Sequence, residues 1–226
     1  MDFVKELEEF NINIENDKLD KFKKYYELLV EYNKVMNLTG ITDLDGVYLK
    51  HFYDSLTLVK AYNFNENIKL CDVGSGAGFP SIPLKICFPN IDVTIIDSLN
   101  KRIEFLNVVI KELGLENIRA IHARAEEFDK RECFDIVTSR ALADVNIGLE
   151  LCMPLVKVDG YYLPMLVGYD LGKNTIKLLG GKLVEELSFV LPIENSNRKI
   201  LKIKKVENTL GKYPRAFSQI KKKPLR

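Results

Sequence analysis

Three glycines at alternate positions, Gly74, Gly76 and Gly78, stand in the stretch LCDVGSGAGFPSIPL (70–84), behind one acid, Asp72, and ahead of two prolines. Glycine lets a backbone bend tightly and approach a ligand closer than any Cβ permits. Pro80 and Pro83 suit the first turn of a helix, whose N–H groups are unpaired in any case. Turns of this kind hold nucleotide cofactors of two classes. Dinucleotide sites space their glycines G-x-G-x-x-G and set a pyrophosphate on the helix N-terminus. Here the spacing is G-x-G-x-G, and the carboxylate of Asp72 would repel a pyrophosphate while suiting an ammonium or sulfonium. The pattern favours S-adenosylmethionine, cationic at its reacting end, over a nicotinamide dinucleotide.

Further polar groups fall where such a ligand needs them. Asp97 closes the run DVTIID, and its separation from Gly78 is close to the spacing at which an acid meets ribose hydroxyls. Its other role would be to cap the helix that begins SLNKRIEF. In HARAEEF, Ala125 and Glu126 lie where adenine should rest, with Glu126 able to accept from its amino group. Glu126 also fits as an exposed acid in a first helical turn. Arg140 closes FDIVTSR and could hold the cofactor's carboxylate or a substrate phosphate, or pair with Asp144.

What is missing narrows the chemistry. No cysteine follows a proline as a carbon-attacking nucleophile would require; in LCMP the order is reversed. The segment after the fourth strand reads TSRAL, not the Asn-Pro-Pro-aromatic loop used for exocyclic amines. His51 and His122 are the only histidines and lie in different segments, so no metal site is expected. Without nucleophile or base, a site can still methylate guanine N7, which has a free lone pair and no proton to lose.

These residues must be carried by a scaffold. The runs 68–73, 92–97, 118–123, 134–139 and 160–166 are short and apolar, and helix-like stretches alternate with them. That alternation predicts βαβ units and a parallel sheet covered on both faces. KLVEELSFVLP and RKILKIKKVE predict a closing antiparallel hairpin around ENSN. Pro164 inside the fifth run belongs at an edge or a bulge. The stretch 19–36 places Leu19, Phe22, Tyr26, Leu29 and Met36 on one helical face, and the whole of 1–65 reads as helical. The expected division is a helical cap over 1–65, a core over 66–207 and a basic tail over 208–226.

Bulk properties agree with a soluble globule. The chain has 226 residues, 46% hydrophobic and 29% charged. No apolar run approaches membrane-spanning length, and MDFVKELEEF lacks the layout of a signal peptide. The four scattered cysteines read as reduced thiols of a cytoplasmic protein. Charge is uneven: residues 198–226 carry eleven Lys/Arg against one acid, Glu207, a net +10, which leaves −9 on the rest of the chain within a total of +1. A polyanionic partner at one end is expected.

NLTGIT, HFYDSL, DVGSGAGFPSIPL, DSLNKRIEFL, HARAEEF, FDIVTSRA, YPR and KKKPL together resemble the small-subunit ribosomal RNA methyltransferase G family, also called glucose-inhibited division protein B. The resemblance implies a Rossmann-like class I methyltransferase fold of seven mainly parallel strands. It also implies S-adenosylmethionine as donor and N7 of one guanine in 16S ribosomal RNA, or in the small subunit, as target. Cofactor contacts implied by position are Gly74, Phe79, Ala125, Glu126 and Arg140, with no proton-transfer residue. One departure is Val167, where the family carries a lysine before glycine. Lys202, Lys204, Lys212, Arg215, Lys221, Lys222 and Lys223 are the expected RNA contacts, and His51 and Asp54 are placed at the RNA-facing edge of the cap. A monomer is expected. Removing everything after Glu207 is expected to weaken RNA binding and leave cofactor affinity intact.

Overall fold

The computed structural model describes residues 2–142 and 144–226. Seven strands form one sheet in the order β3-β2-β1-β4-β5-β7-β6. They are β1 (Lys69–Val73), β2 (Asp92–Asp97), β3 (Ile118–His122), β4 (Phe134–Arg140), β5 (Val156–Leu166), β6 (Gly181–Val190) and β7 (Asn197–Lys205). The first five are parallel, and β7 runs antiparallel to both β5 and β6. The strand order reverses between β1 and β4, so a crevice opens at their carboxyl ends.

Side chains alternate across the sheet, as strand geometry demands. Leu70, Val93 and Ile95 enter one apolar cluster, and Cys71, Val73 and Ile96 enter the other. The first cluster is covered by α1 (Phe3–Glu8), α2 (Asn16–Met36), α3 (Leu44–Val47), α4 (Asp54–Leu56), α5 (Ser81–Cys87) and α6 (Asn100–Glu112). The second is covered by α7 (Val145–Cys152), α8 (Thr175–Leu178) and α9 (Phe217–Lys222), with Tyr213 and Ile220 buried in it.

Three expectations need correction. The segment 1–65 is not helical throughout: α2 ends at Asn37 in a left-handed conformation (φ 51°), and an irregular segment runs to Asp43. Asn33 stabilises that exit by accepting from the N–H groups of Leu38 (2.6 Å) and Thr39 (2.9 Å). On α2 the buried face holds Phe22, Tyr25, Leu28 and Leu29, so Tyr25 goes inward where Tyr26 was expected. Pro164 stands in β5, an internal strand, not at an edge. The β5–β7 pairing runs Tyr162↔Ile203 and resumes at Met165↔Ile200, skipping the stretch that holds the proline. That gap accommodates a residue with no N–H to donate.

Candidate cofactor and substrate site

The glycine bend leaves the end of β1. Gly74 (φ 73°) and Gly78 (φ 103°) occupy left-handed conformations, which a side chain strains. A Cβ on Gly78 would lie 2.6 Å from Ile82 Cδ1 and 2.7 Å from the Tyr25 hydroxyl. That hydroxyl donates to the carbonyl of Ala77 at 2.5 Å, so α2 supports the bend directly. From the other side, Gly74 N–H donates to Ile96 O at 2.8 Å. Asp97 accepts from Gly76 N–H (3.1 Å), Leu99 N–H (2.9 Å) and Arg102 Nη1 (3.2 Å). Asp97 therefore fixes the bend and the entry to α6 together; the helix N-cap itself is Leu99.

Beneath the bend Asp72 is fully buried, and one oxygen accepts from Ser81 N–H at 3.2 Å. Its other oxygen has no partner. Burial pushes the Asp72 pKa up to about 7, against the pull of Ser81 and Arg140. An orphaned buried acid beneath a glycine-rich bend fits a cationic ligand group.

A pocket of about 160 Å³ opens beside the bend, lined by Gly74, Asp97, Ala125, Glu126, Leu142 and Phe217, among others. Four of the expected cofactor residues thus meet here, while Gly76 and Gly78 shape the bend. Glu126 lies 3.7 Å from Arg124 Nη1.

Arg140 lines a second cleft, across Leu142, which lines both spaces, while Phe79 is buried and lines neither, packed against Arg140 and His51. That cleft, about 450 Å³, is lined by Lys50, His51, Asp54, Arg140, Val167 and Arg198, among others. Arg140 does not pair with Asp144, which instead caps α7 by accepting from Asn146 N–H at 2.7 Å. Arg140 donates to Asp54 Oδ2 (3.1 Å) and to Lys50 O (2.9 Å), lies 3.2 Å from His51 Nδ1, and has its guanidinium 4.9 Å above the Phe79 ring. Arg198 Nε donates to the second Asp54 oxygen at 3.0 Å. One buried carboxylate thus binds two guanidiniums from β4 and β7. Sequence reasoning counted Arg198 only as part of a basic run.

His51 stacks on Phe79 at 4.5 Å and meets Thr39 Oγ1 through Nε2 at 2.8 Å. Nδ1 lies between the carbonyl of Lys50 (3.1 Å) and Arg140 Nη2 (3.2 Å). Burial, then Arg140, lowers the His51 pKa from 6.5 to about 4. The unfolded chain therefore binds a proton that the fold refuses. The stabilisation is complete above pH 6.5 and lost as pH falls toward 4, about 3 kcal/mol in all. A His51→Gln chain is expected to lose less stability between pH 7.5 and pH 5 in urea titrations. Equal losses for both chains would refute the neutral, buried histidine.

The expected RNA contacts scatter. Lys204 pairs with Asp159 at 2.8 Å, and Lys202 Nζ lies 5.2 Å from the Tyr161 ring centroid. Both belong to the half of β7 opposite Tyr161, whereas Lys199 is opposite Leu166. The strand between them puts Lys204 roughly 16 Å farther from the crevice than Lys199. Lys212 lies over Tyr213. Arg215 grips Glu150 through Nε (2.7 Å) and Nη2 (2.5 Å). Lys221, Lys222 and Lys223 are exposed at the end of α9.

Residues 18–170 match the sequence profile described as "rRNA small subunit methyltransferase G". The chain belongs to this family. A relative from Exiguobacterium sibiricum named "Ribosomal RNA small subunit methyltransferase G" is 50% identical over 232 residues, covering 99% of this chain and 98% of its own. The Bacillus subtilis protein of that name is 47% identical over 233 residues, again 99% and 98%. Among solved structures, a SAM dependent methyltransferase from Aquifex aeolicus aligns with TM-score 0.56 at 17% identity, over 73% of this chain and 94% of that one. M. jannaschii TYW2 in complex with AdoMet aligns with TM-score 0.57 at 18% identity, over 74% and 80%. At such identities the two structures bear on the fold alone. As a member of the methyltransferase G family the chain is an enzyme that uses S-adenosylmethionine, and the orphaned Asp72 oxygen and the glycine bend fit that donor.

Proposed function

We propose that the protein methylates N7 of a guanine in 16S ribosomal RNA, acting in the cytoplasm on the free RNA or the small subunit. The bound donor supplies an electrophilic methyl group on a sulfonium. Gly74, Gly76 and Gly78 keep side chains out of its way, with Asp97, Ala125 and Glu126 around its nucleoside and Asp72 below its charged end. Phe79 and Arg140 stand at the boundary with the second cleft, which receives the RNA. Arg140 and Arg198, two cations against the single Asp54, give that cleft its attraction for phosphate, while Lys50 pairs with Glu194.

The observation that carries the N7 assignment is the state of the titratable groups in the second cleft. Both oxygens of Asp54 are held by guanidiniums, and both ring nitrogens of His51 are engaged. Neither group is placed to take a proton from an acceptor. An amine or hydroxyl acceptor would need such a base, whereas guanine N7 attacks through a lone pair it already has. Catalysis then rests on aligning N7 with the methyl carbon and sulfur in a water-poor crevice.

The test is to map N7-methylguanosine on 16S RNA from cells with and without the protein, beside in vitro transfer from tritiated S-adenosylmethionine. One N7 mark is expected to disappear and to be restored by the purified protein. An unchanged N7 map, or label on an exocyclic amine or ring carbon, refutes the assignment.

A further inference from the structure

The tail after β7 was expected to serve RNA alone, yet it is packed onto the core along its length. Lys205 is fully buried; its ammonium donates to Met153 O at 2.7 Å and Thr209 Oγ1 at 2.5 Å and pairs with Glu132 at 3.3 Å. Thr209 Oγ1 donates to Leu179 O at 2.7 Å. Arg131 Nη1 donates to Tyr213 O at 2.7 Å. Arg215 closes its two-pronged contact on Glu150, whose carboxylate is fully buried in α7. Ile220 is fully buried, and Arg226 donates to Asp170 at 2.6 Å. Such anchoring fixes the position of α9.

The first residue of that helix is Phe217. Its neighbours in the chain are polar or small, and it remains 36% exposed. It lines the 160 Å³ pocket together with Gly74, Asp97, Ala125, Glu126 and Leu142. Ala125 and Glu126 stand where the adenine is expected, so the ring borders the planar part of the ligand. Aromatic rings gain most from planar heterocycles, and base–aromatic contacts are among the stronger single-side-chain terms in nucleotide binding.

We propose that the C-terminal strap is a wall of the cofactor pocket and that Phe217 is a cofactor-binding residue contacting the nucleoside. This rests on the assignment of S-adenosylmethionine to the glycine bend. The strap therefore serves two ligands: Phe217 faces the nucleoside, and Lys221 to Lys223, within two turns of it, remain exposed for RNA. Truncation after Glu207 then costs cofactor affinity as well as RNA affinity.

The test is calorimetric titration of S-adenosylhomocysteine into the full chain and its variants. Phe217→Ala is expected to weaken binding about five- to twentyfold, the scale of a lost base–aromatic contact. Its unfolding midpoint should hold, because the ring is partly exposed. Phe217→Tyr should bind within about twofold of the unsubstituted chain, since it keeps the ring. The triple variant Lys221→Ala, Lys222→Ala, Lys223→Ala should keep full affinity for S-adenosylhomocysteine while losing RNA. Unchanged affinity in Phe217→Ala overturns the proposal, as does an equal loss in the lysine variant. Failure of the unsubstituted chain to bind S-adenosylhomocysteine would instead remove the cofactor assignment beneath it.

Discussion

A Gly74→Asp chain is expected to fold and to lose S-adenosylmethionine affinity by a factor of about 100 or more. Gly74 has φ 73° and lines the pocket beside the bend, the proposed nucleoside site. A Cβ built there meets Leu142 Cδ2 at 3.3 Å, so the new side chain is turned toward the residue that separates the two spaces. The added carboxylate joins Asp97 and Glu126 in a pocket of 160 Å³. Burying an unpaired carboxylate against a ligand costs several kcal/mol, which sets the factor of about 100. The left-handed backbone itself is tolerable, because Asp is among the residues that visit it at about 1 kcal/mol. Gly76→Ala is the contrasting case: φ is 62° but nothing lies within 4 Å of its Cβ. It should show backbone strain and a smaller loss of affinity. Calorimetry with a thermal melt on each variant separates binding from folding, and wild-type affinity in Gly74→Asp would reject the bend as the cradle.

The glycine bend was readable because its chemistry is local. Tight turns, a preceding acid and a second acid at the end of the next strand are spacings along one chain, and the structure gathers Gly74, Asp97, Ala125 and Glu126 around one pocket. The alternation of strands and helices was readable for the same reason, since side-chain period alone separates the two. The second cleft was not. Its central carboxylate, Asp54, meets Arg140 from 86 residues away and Arg198 from 144, and no periodicity encodes such pairings. HFYDSL did carry the signal, because it presents His51 and Asp54 together; what they touch is decided by tertiary packing.

The tail misleads for a different reason. Its basic composition hides Tyr213, Phe217 and Ile220, spaced i, i+4, i+7 as on one helical face. Two of the three are buried and the other lines the pocket beside the glycine bend. Charge counting describes where a chain ends up in an external field; apolar spacing describes what it packs against. In residues 208–226 the two coexist, and both must be read.

Replacing Asp54 by Ala is expected to cost about 3 kcal/mol of stability and to lower the unfolding midpoint by roughly 6–12 °C for a chain of this size. Asp54 is 6% exposed, and its partners Arg140 and Arg198 are 17% and 16% exposed. Burial already pulls the Arg140 pKa below its usual value, and Asp54 is the largest opposing influence. Without the carboxylate, two guanidiniums face each other in a cleft that neither can easily leave. The loss is set by that uncompensated charge more than by the two hydrogen bonds. Asp54→Asn keeps an acceptor oxygen and removes the charge, so it should recover little. Combining Asp54→Ala with Arg140→Met should be less destabilising than the sum of the single changes, the sign a double-mutant cycle gives for an attractive pair. Strict additivity would mean that water already screens the pair. If the second cleft receives the RNA, as proposed, the two arginines against one aspartate leave a single net positive charge for a phosphate. Loosening that carboxylate should therefore raise KM for RNA, through misplaced arginines, before it alters the affinity for S-adenosylmethionine.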